Sequence, residues 1–151
     1  MHRVCALIRA PPRSTLLDTL AGRLSPGATL TGAIRVNGHP ANLAYGRSAY
    51  VTQDEVLIGT LTVRETILYA ARLRLRSTPG EPTPAEVADG VVAELGLTDA
   101  ANTVIGNWHM RGVSGGQRRR VVIGCELVVS PSLIFLDEPT SGTSFSYICM
   151  R

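Results

Sequence analysis

Apolar residues recur along this chain with two periods, and the change of period separates strand-bearing ends from a helical middle. Val4 to Ile8 is a short continuous apolar run of the kind found in buried strands, broken by Arg9-Ala10-Pro11-Pro12-Arg13. Thr15 to Leu20 reads as a short helix that Gly22 ends, because a glycine just past a helix takes the left-handed conformation at little cost. Leu30 to Val36 alternates apolar with polar or small residues and runs into Asn37-Gly38, the strongest short hairpin signal. Ser48 to Val51 predicts a further strand, followed by the polar Thr52-Gln53-Asp54-Glu55.

The middle carries helical periodicity with explicit start signals. Thr62-x-x-Glu65 is a capping box predicting a helix to about Leu75, with Val63, Ile67, Ala70 and Ala71 inward and Arg72, Arg74 and Arg76 outward. Residues 77–81 form a loop. Thr83-Pro84-Ala85-Glu86 is a second box with proline in the first turn; its helix carries Val87, Val91 and Leu95 and stops at Gly96. Ser114-x-x-Gln117 is a third, opening a helix with Val121, Val122, Cys125, Val128 and Val129 inward and Ser130-Pro131 as its stop. Leu133 to Leu136 is wholly apolar, as in a strand covered on both faces. Strands flanked by helices imply an α/β core with ligands at the carboxyl ends of the strands. No internal repeat is visible.

Bulk properties narrow the class. With 151 residues, 44% hydrophobic and 18% charged, the chain has the size of one domain and the composition of a globular one. A net charge of +3 does not imply nucleic acid; Arg118, Arg119 and Arg120 spread around a helix and read as a solvated face. Cys5, Cys125 and Cys149 have no metal-ligand spacing and suggest free thiols in a reducing compartment, Cys125 being core. No apolar run reaches the ~18 residues of a membrane span, and the N-terminal run is too short for a secretory signal. The default is cytosolic.

Two stretches carry chemistry. Gly112-Val113-Ser114-Gly115-Gly116-Gln117 opens a helix with two glycines in its first turn, where unshielded N–H groups and the macrodipole attract an anion. Asp137 and Glu138 end an apolar strand, where one carboxylate can hold Mg²⁺ and its neighbour can face an attacking water. Taken singly, each has a plain structural reading: a capped helix, and a solvated turn before Pro139. Together they point to a phosphate-and-magnesium site.

With these stretches in this order, the chain resembles the nucleotide-binding domain of an ATP-binding cassette (ABC) transporter. Val113-Ser114-Gly115-Gly116-Gln117 is similar to that family's signature motif, and Leu133 to Glu138 to its Walker B strand. Gln53 sits where the family's Q-loop glutamine stands. Ile105 to Gly112 and Glu138-Pro139-Thr140-Ser141-Gly142 look like the G subfamily, the white-type half-transporters, especially plant exporters of lipid and cuticle precursors. The resemblance covers roughly 14–142. It implies a P-loop NTPase-like α/β fold in a single partial domain, with an α-helical subdomain over about 60–130 and a divergent tail at 143–151.

By resemblance, Ser114, Gly115, Gly116 and Gln117 bind the γ-phosphate of ATP held by an opposing subunit. Arg13, Ser14, Thr15 and Gln53 contact ATP in the chain's own site; Ser14, Gln53 and Asp137 hold Mg²⁺, and Glu138 is the general base. Implied partners are ATP with Mg²⁺, a second nucleotide-binding domain, and the transmembrane domain of a half-transporter at the cytoplasmic face of a membrane. Nucleic acid is not among them. With no membrane span of its own, the chain is expected to be soluble or peripheral. Trp108 and His109 are expected to pack at a subdomain surface.

The chain also departs from the family. A phosphate loop needs G-x-x-x-x-G-K-[ST], but Leu7-Ile8-Arg9-Ala10-Pro11-Pro12-Arg13-Ser14 has neither glycine nor lysine. Arg13 takes the lysine position and Ser14 the magnesium-ligating one, while Pro11 and Pro12 donate no N–H. Thr143-Ser144 replaces the leucine and aspartate of the D-loop. Both ends are therefore expected to be truncated, leaving an exposed sheet edge and marginal stability. Three functions follow: an export-coupled ATPase domain impaired in its own phosphate loop; a non-catalytic module that pairs with an intact half-transporter; and a soluble ABC protein acting on DNA or ribosomes. The last would bring a second cassette or coiled-coil insertion, and neither is seen.

Overall fold

A computed structural model of the chain describes residues 4–6, 18–23, 26–27, 29, 31–32, 35–36, 39–40, 48–52, 56–76 and 78–136. These fall into two compact units, one drawn from residues up to 52 and 131–136, the other from 56–130.

The first unit holds five short strands: β1 (Val4–Ala6), β2 (Arg35–Val36), β3 (His39–Pro40), β4 (Ser48–Val51) and β5 (Leu133–Leu136). β1, β5 and β4 form a parallel sheet in that spatial order, with Ala6 and Tyr50 both in register with Phe135 and Val51 in register with Leu136. The central strand is wholly apolar, and Ile134 and Phe135 are buried, as a parallel strand flanked on both sides requires. Tyr50 and Phe135 lie 6.2 Å apart between ring centroids, and the Arg23 guanidinium sits 4.7 Å above the Tyr50 ring. β2 and β3 pair antiparallel across the two residues Asn37-Gly38, the hairpin the dipeptide predicts.

Residues 18–20 are helical, and Gly22 has φ 71°. The Gly22 N–H donates to Thr19 O (3.2 Å) and the Arg23 N–H to Asp18 O (2.7 Å), the paired bonds of a Schellman ending.

The second unit is helical: α1 (Val63–Arg74), α2 (Pro84–Glu94), a 3₁₀ turn at Thr98–Ala100 and α3 (Gly115–Leu127). All three capping boxes form as the sequence predicts. Val63, Ile67 and Ala71 of α1, Ala88, Val91 and Val92 of α2, and Val121, Ile123 and Leu127 of α3 make the core. The three helices meet at Gly124, where a Cβ would stand 3.0 Å from Leu95 Cδ1, 3.1 Å from Ile67 Cδ1 and 3.3 Å from Val91 Cγ1.

Several expectations change here. Arg74 does not face solvent: its guanidinium pairs with Glu126 (2.6 Å) and donates to the Cys125 carbonyl (3.0 Å), tying the end of α1 to the end of α3. Ala70 is half-buried rather than core, as are Val122, Cys125 and Val129, and α3 ends at Leu127, before the predicted stop. Burial nonetheless pushes the Cys125 thiol up to about 11, with the Glu126 charge adding to it and Arg74 opposing. The arginine run is not a solvated face either. Arg119 is buried, Arg118 reaches the carbonyls of Ile105 and Gly106, and Arg120 reaches those of Leu95 (3.0 Å) and Gly96 (3.2 Å). Among the described residues no helix is long and apolar enough to cross a membrane.

Candidate functional site: the first turn of α3

Three helices of the second unit begin alike, so their N-termini can be compared group by group. An α-helix leaves its first N–H groups without intrahelical partners. In α1 these are taken: the N–H groups of Val63 and Arg64 donate to Thr103 O (3.0 Å) and Ala101 O (2.9 Å). Glu65 occupies its first turn, and its carboxyl is held below the usual range by the Thr62 N–H (2.8 Å) and hydroxyl (2.9 Å). In α2 the first helical residue is Pro84, which has no N–H, and Glu86 is held low in the same way by Thr83.

The start of α3 differs. Ser114 N–H donates to Gln117 Oε1 (2.9 Å), and Gln117 N–H donates to Ser114 Oγ (3.3 Å). The first turn contains no acidic residue. Gly115 and Gly116 are the first two helical residues, and a Cβ at Gly115 would meet nothing within 4 Å, so the chain is open to space at that position. Four donor groups thus have no acceptor among the described residues: the Ser114 hydroxyl, the N–H groups of Gly115 and Gly116, and the Gln117 amide nitrogen. Thr62 and Thr83 instead give their hydroxyl protons to glutamate. Donors without acceptors at the positive end of a helix dipole suit a phosphate oxygen. The residues present therefore suit the phosphates of ATP.

The loop before the turn is tightly fixed. Gly106 N–H donates to Gly59 O (2.9 Å), Ile105 N–H to Leu61 O (2.8 Å) and Val113 N–H to Val104 O (3.1 Å). Gly106 has φ 81°, and a Cβ there would lie 2.6 Å from the Gly112 nitrogen, so only glycine fits. Asn107 Oδ1 accepts from the N–H groups of His109 and Met110 (both 2.9 Å), closing a turn that projects Trp108, 92% exposed, with its ring 4.4 Å from that of His109. Trp108 lies on the surface as expected, but it meets the tilted ring of its neighbour and is not covered.

A family model described as "ABC transporter" matches residues 13–141, a span that takes in this turn and the ends of β4 and β5. The chain belongs to the ABC transporter family. Among curated relatives, ABC transporter G family member 11 of Arabidopsis thaliana is 53% identical over 130 residues, covering 86% of this chain and 18% of that protein. G family member 13 of the same plant is 48% identical over 130 residues, covering 86% of this chain and 19% of its own length. G family member 1 of Petunia hybrida is 48% identical over 141 residues, with 92% and 22% covered. The chain thus spans about a fifth of the length of the curated relatives it matches. Membership implies the P-loop NTPase-like nucleotide-binding fold, and this ABC family generally binds ATP with Mg²⁺.

The remaining predicted site residues, Arg13, Ser14, Thr15, Gln53, Asp137 and Glu138, lie outside the described residues. Their positions in the chain follow the carboxyl ends of the parallel strands. Asp137 comes directly after Leu136, whose register partner Val51 precedes Gln53 by two residues. Sequence reading missed Arg118 and Arg120 as carbonyl donors. The signal available was the glycine pair 106 and 112, which marks a close backbone approach but does not name the side chain that secures it.

Proposed function

We propose that this chain acts as part of the nucleotide-binding domain of an ATP-driven G-family transporter exporting lipids or small molecules. Within it, the turn Ser114-Gly115-Gly116-Gln117 binds the γ-phosphate of ATP held by a second nucleotide-binding domain. The observation that supports this is the open donor set of α3, where α1 has its first two N–H groups occupied and α2 lacks the first of its own, and both carry a glutamate in the first turn. When bound, Mg²⁺-ATP supplies the phosphate charge and the bond to be cleaved. In the chain's own site Asp137, Ser14 and Gln53 hold the metal, Glu138 takes a proton from water, and Arg13 and Thr15 contact phosphate.

That own site is the weaker one. Pro11 and Pro12 stand where backbone N–H groups should wrap the phosphates, and losing two charge-assisted hydrogen bonds at ~1.5–3 kcal/mol each weakens binding by ~10² or more. The reading favoured is therefore a module that lends its α3 turn to an intact partner while turning over little ATP itself. Its test is complementation: a full-length G-family half-transporter whose own signature serine is replaced, mixed with this chain and Mg²⁺-ATP. Turnover present only in the mixture supports the reading. An idle mixture removes it.

A further inference from the structure

We infer that Arg118 is a positioning residue for the phosphate-binding turn, locking it to the backbone knot formed by Gly59, Gly106 and Gly112. The inference rests on the reading of Ser114–Gln117 given above and names what holds those donors in place.

Arg118 is linked to the turn twice. Its N–H donates to the carbonyl of Ser114 (2.8 Å), closing the first helical turn. Its side chain reaches back out of the helix, and Nη2 donates to Ile105 O (3.2 Å) and more weakly to Gly106 O (3.4 Å). Among the described residues no other donor serves those two carbonyls, and Ile105 is wholly buried. Gly106 in turn donates to Gly59, where a Cβ would stand 2.7 Å from the Gly106 oxygen. The knot admits no side chain at these glycines, so it is a fixed backbone platform. Both bonds leave one nitrogen, Nη2, whose two N–H groups are held in the rigid guanidinium plane, whereas a lysine ammonium is a shorter, freely rotating point donor. Without Arg118, the hydrogen bond left between the start of α3 and the platform among the described residues is that of Val113 to Val104. The donors of Ser114, Gly115 and Gly116 would then lose their fixed aim, and a displacement of an ångström at a reacting phosphate has a large effect on rate.

Two measurements on the full chain test this, with R118Q, R118K and wild type compared. In amide hydrogen exchange of the chain alone, R118Q should speed exchange at Gly106 and Val113 by about tenfold or more, leave Leu95 and Leu97 unchanged, and be partly reversed by R118K. In the complementation assay, R118Q should lower maximal turnover by about tenfold or more at an unchanged half-saturating chain concentration, and R118K should recover part of it. Exchange and turnover equal to wild type would overturn the inference. So would a uniform rise in exchange across all three helices, which marks a general loss of stability. A wild-type chain that supports no turnover refutes the phosphate-site reading, and the exchange pattern still decides whether Arg118 locks the turn to the knot.

Discussion

Gly115 separates the two demands on the first turn of α3, because fold and phosphate binding ask opposite things of it. A Cβ there meets nothing, and an acidic side chain near a helix N-terminus favours the helix by ~0.3–1 kcal/mol. Gly115→Asp should therefore keep or raise the melting temperature while its charge repels phosphate. We expect turnover in the complementation assay to fall by about a hundredfold or more, the loss that removing an anion-stabilising donor typically brings. A variant that melts as wild type and retains turnover would show that phosphate does not sit there. Ser114 and Gln117 play the complementary part. Their reciprocal bonds are the ones found at Thr62–Glu65 and Thr83–Glu86, but a neutral amide replaces the carboxylate.

At the scale of the elements, that replacement makes a pH prediction. Glu65 and Glu86 have folded-state values below the ordinary 4.5, each because the N-cap N–H and then its hydroxyl bond the ionised form. Asp89 is lowered chiefly by its hydrogen bond from Arg64 (2.6 Å). Depressed carboxylates contribute stability above their unfolded values, and that contribution is lost as pH falls through the folded ones. The melting temperature should accordingly drop between about pH 5 and 3, with the capping box of α3 adding nothing because Gln117 does not titrate. The double variant E65Q/E86Q should flatten much of that slope; an unchanged slope would place the acid sensitivity elsewhere. Packing gives a second pair of outcomes. Gly90 on α2 faces open space, so Gly90→Ala should stabilise by ~0.5–1 kcal/mol through helix propensity. Gly124→Ala presses on three side chains from two other elements, and an overpacking cost of ~1–3 kcal/mol should outweigh the same gain. Thermal melts that rank the two in the opposite order would contradict this arrangement.

What was legible in the sequence follows the range of the interaction. Helix starts at Thr62, Thr83 and Ser114, the glycine ending at Gly22 and the Asn37-Gly38 hairpin are set by residues within four positions of one another. Arg74 was misread because its partner Glu126 is 52 residues away, and Arg118 and Arg120 because the carbonyls they bond are 12 to 25 residues distant. The inward face of α3 was blurred for a related reason: buried Arg119, Val121, Ile123 and Gly124 lie on more than one side of the helix, so a single stripe does not describe it. The anion site was legible as a motif, but its distinction from α1 was not. That distinction depends on Ala101 and Thr103, which fill the donors of α1 from across the unit.

For the whole molecule, the parallel order β1-β5-β4 brings three strands to end on one edge, at Ala6, Val51 and Leu136. Parallel sheets of this kind bind ligands at that edge, and the proposed metal and base residues follow it in the chain. The proposal therefore gives the molecule two unequal phosphate-binding regions: a proline-bearing loop poor in donors after β1, and a donor-rich turn at α3. The decisive measurement is ATP turnover as this chain is titrated into the half-transporter lacking its own signature serine. Turnover should rise and saturate near one chain per partner, and the Gly115→Asp chain should give about a hundredth of it or less. Turnover by the chain alone equal to that of the mixture, or no turnover at any ratio, would contradict the account.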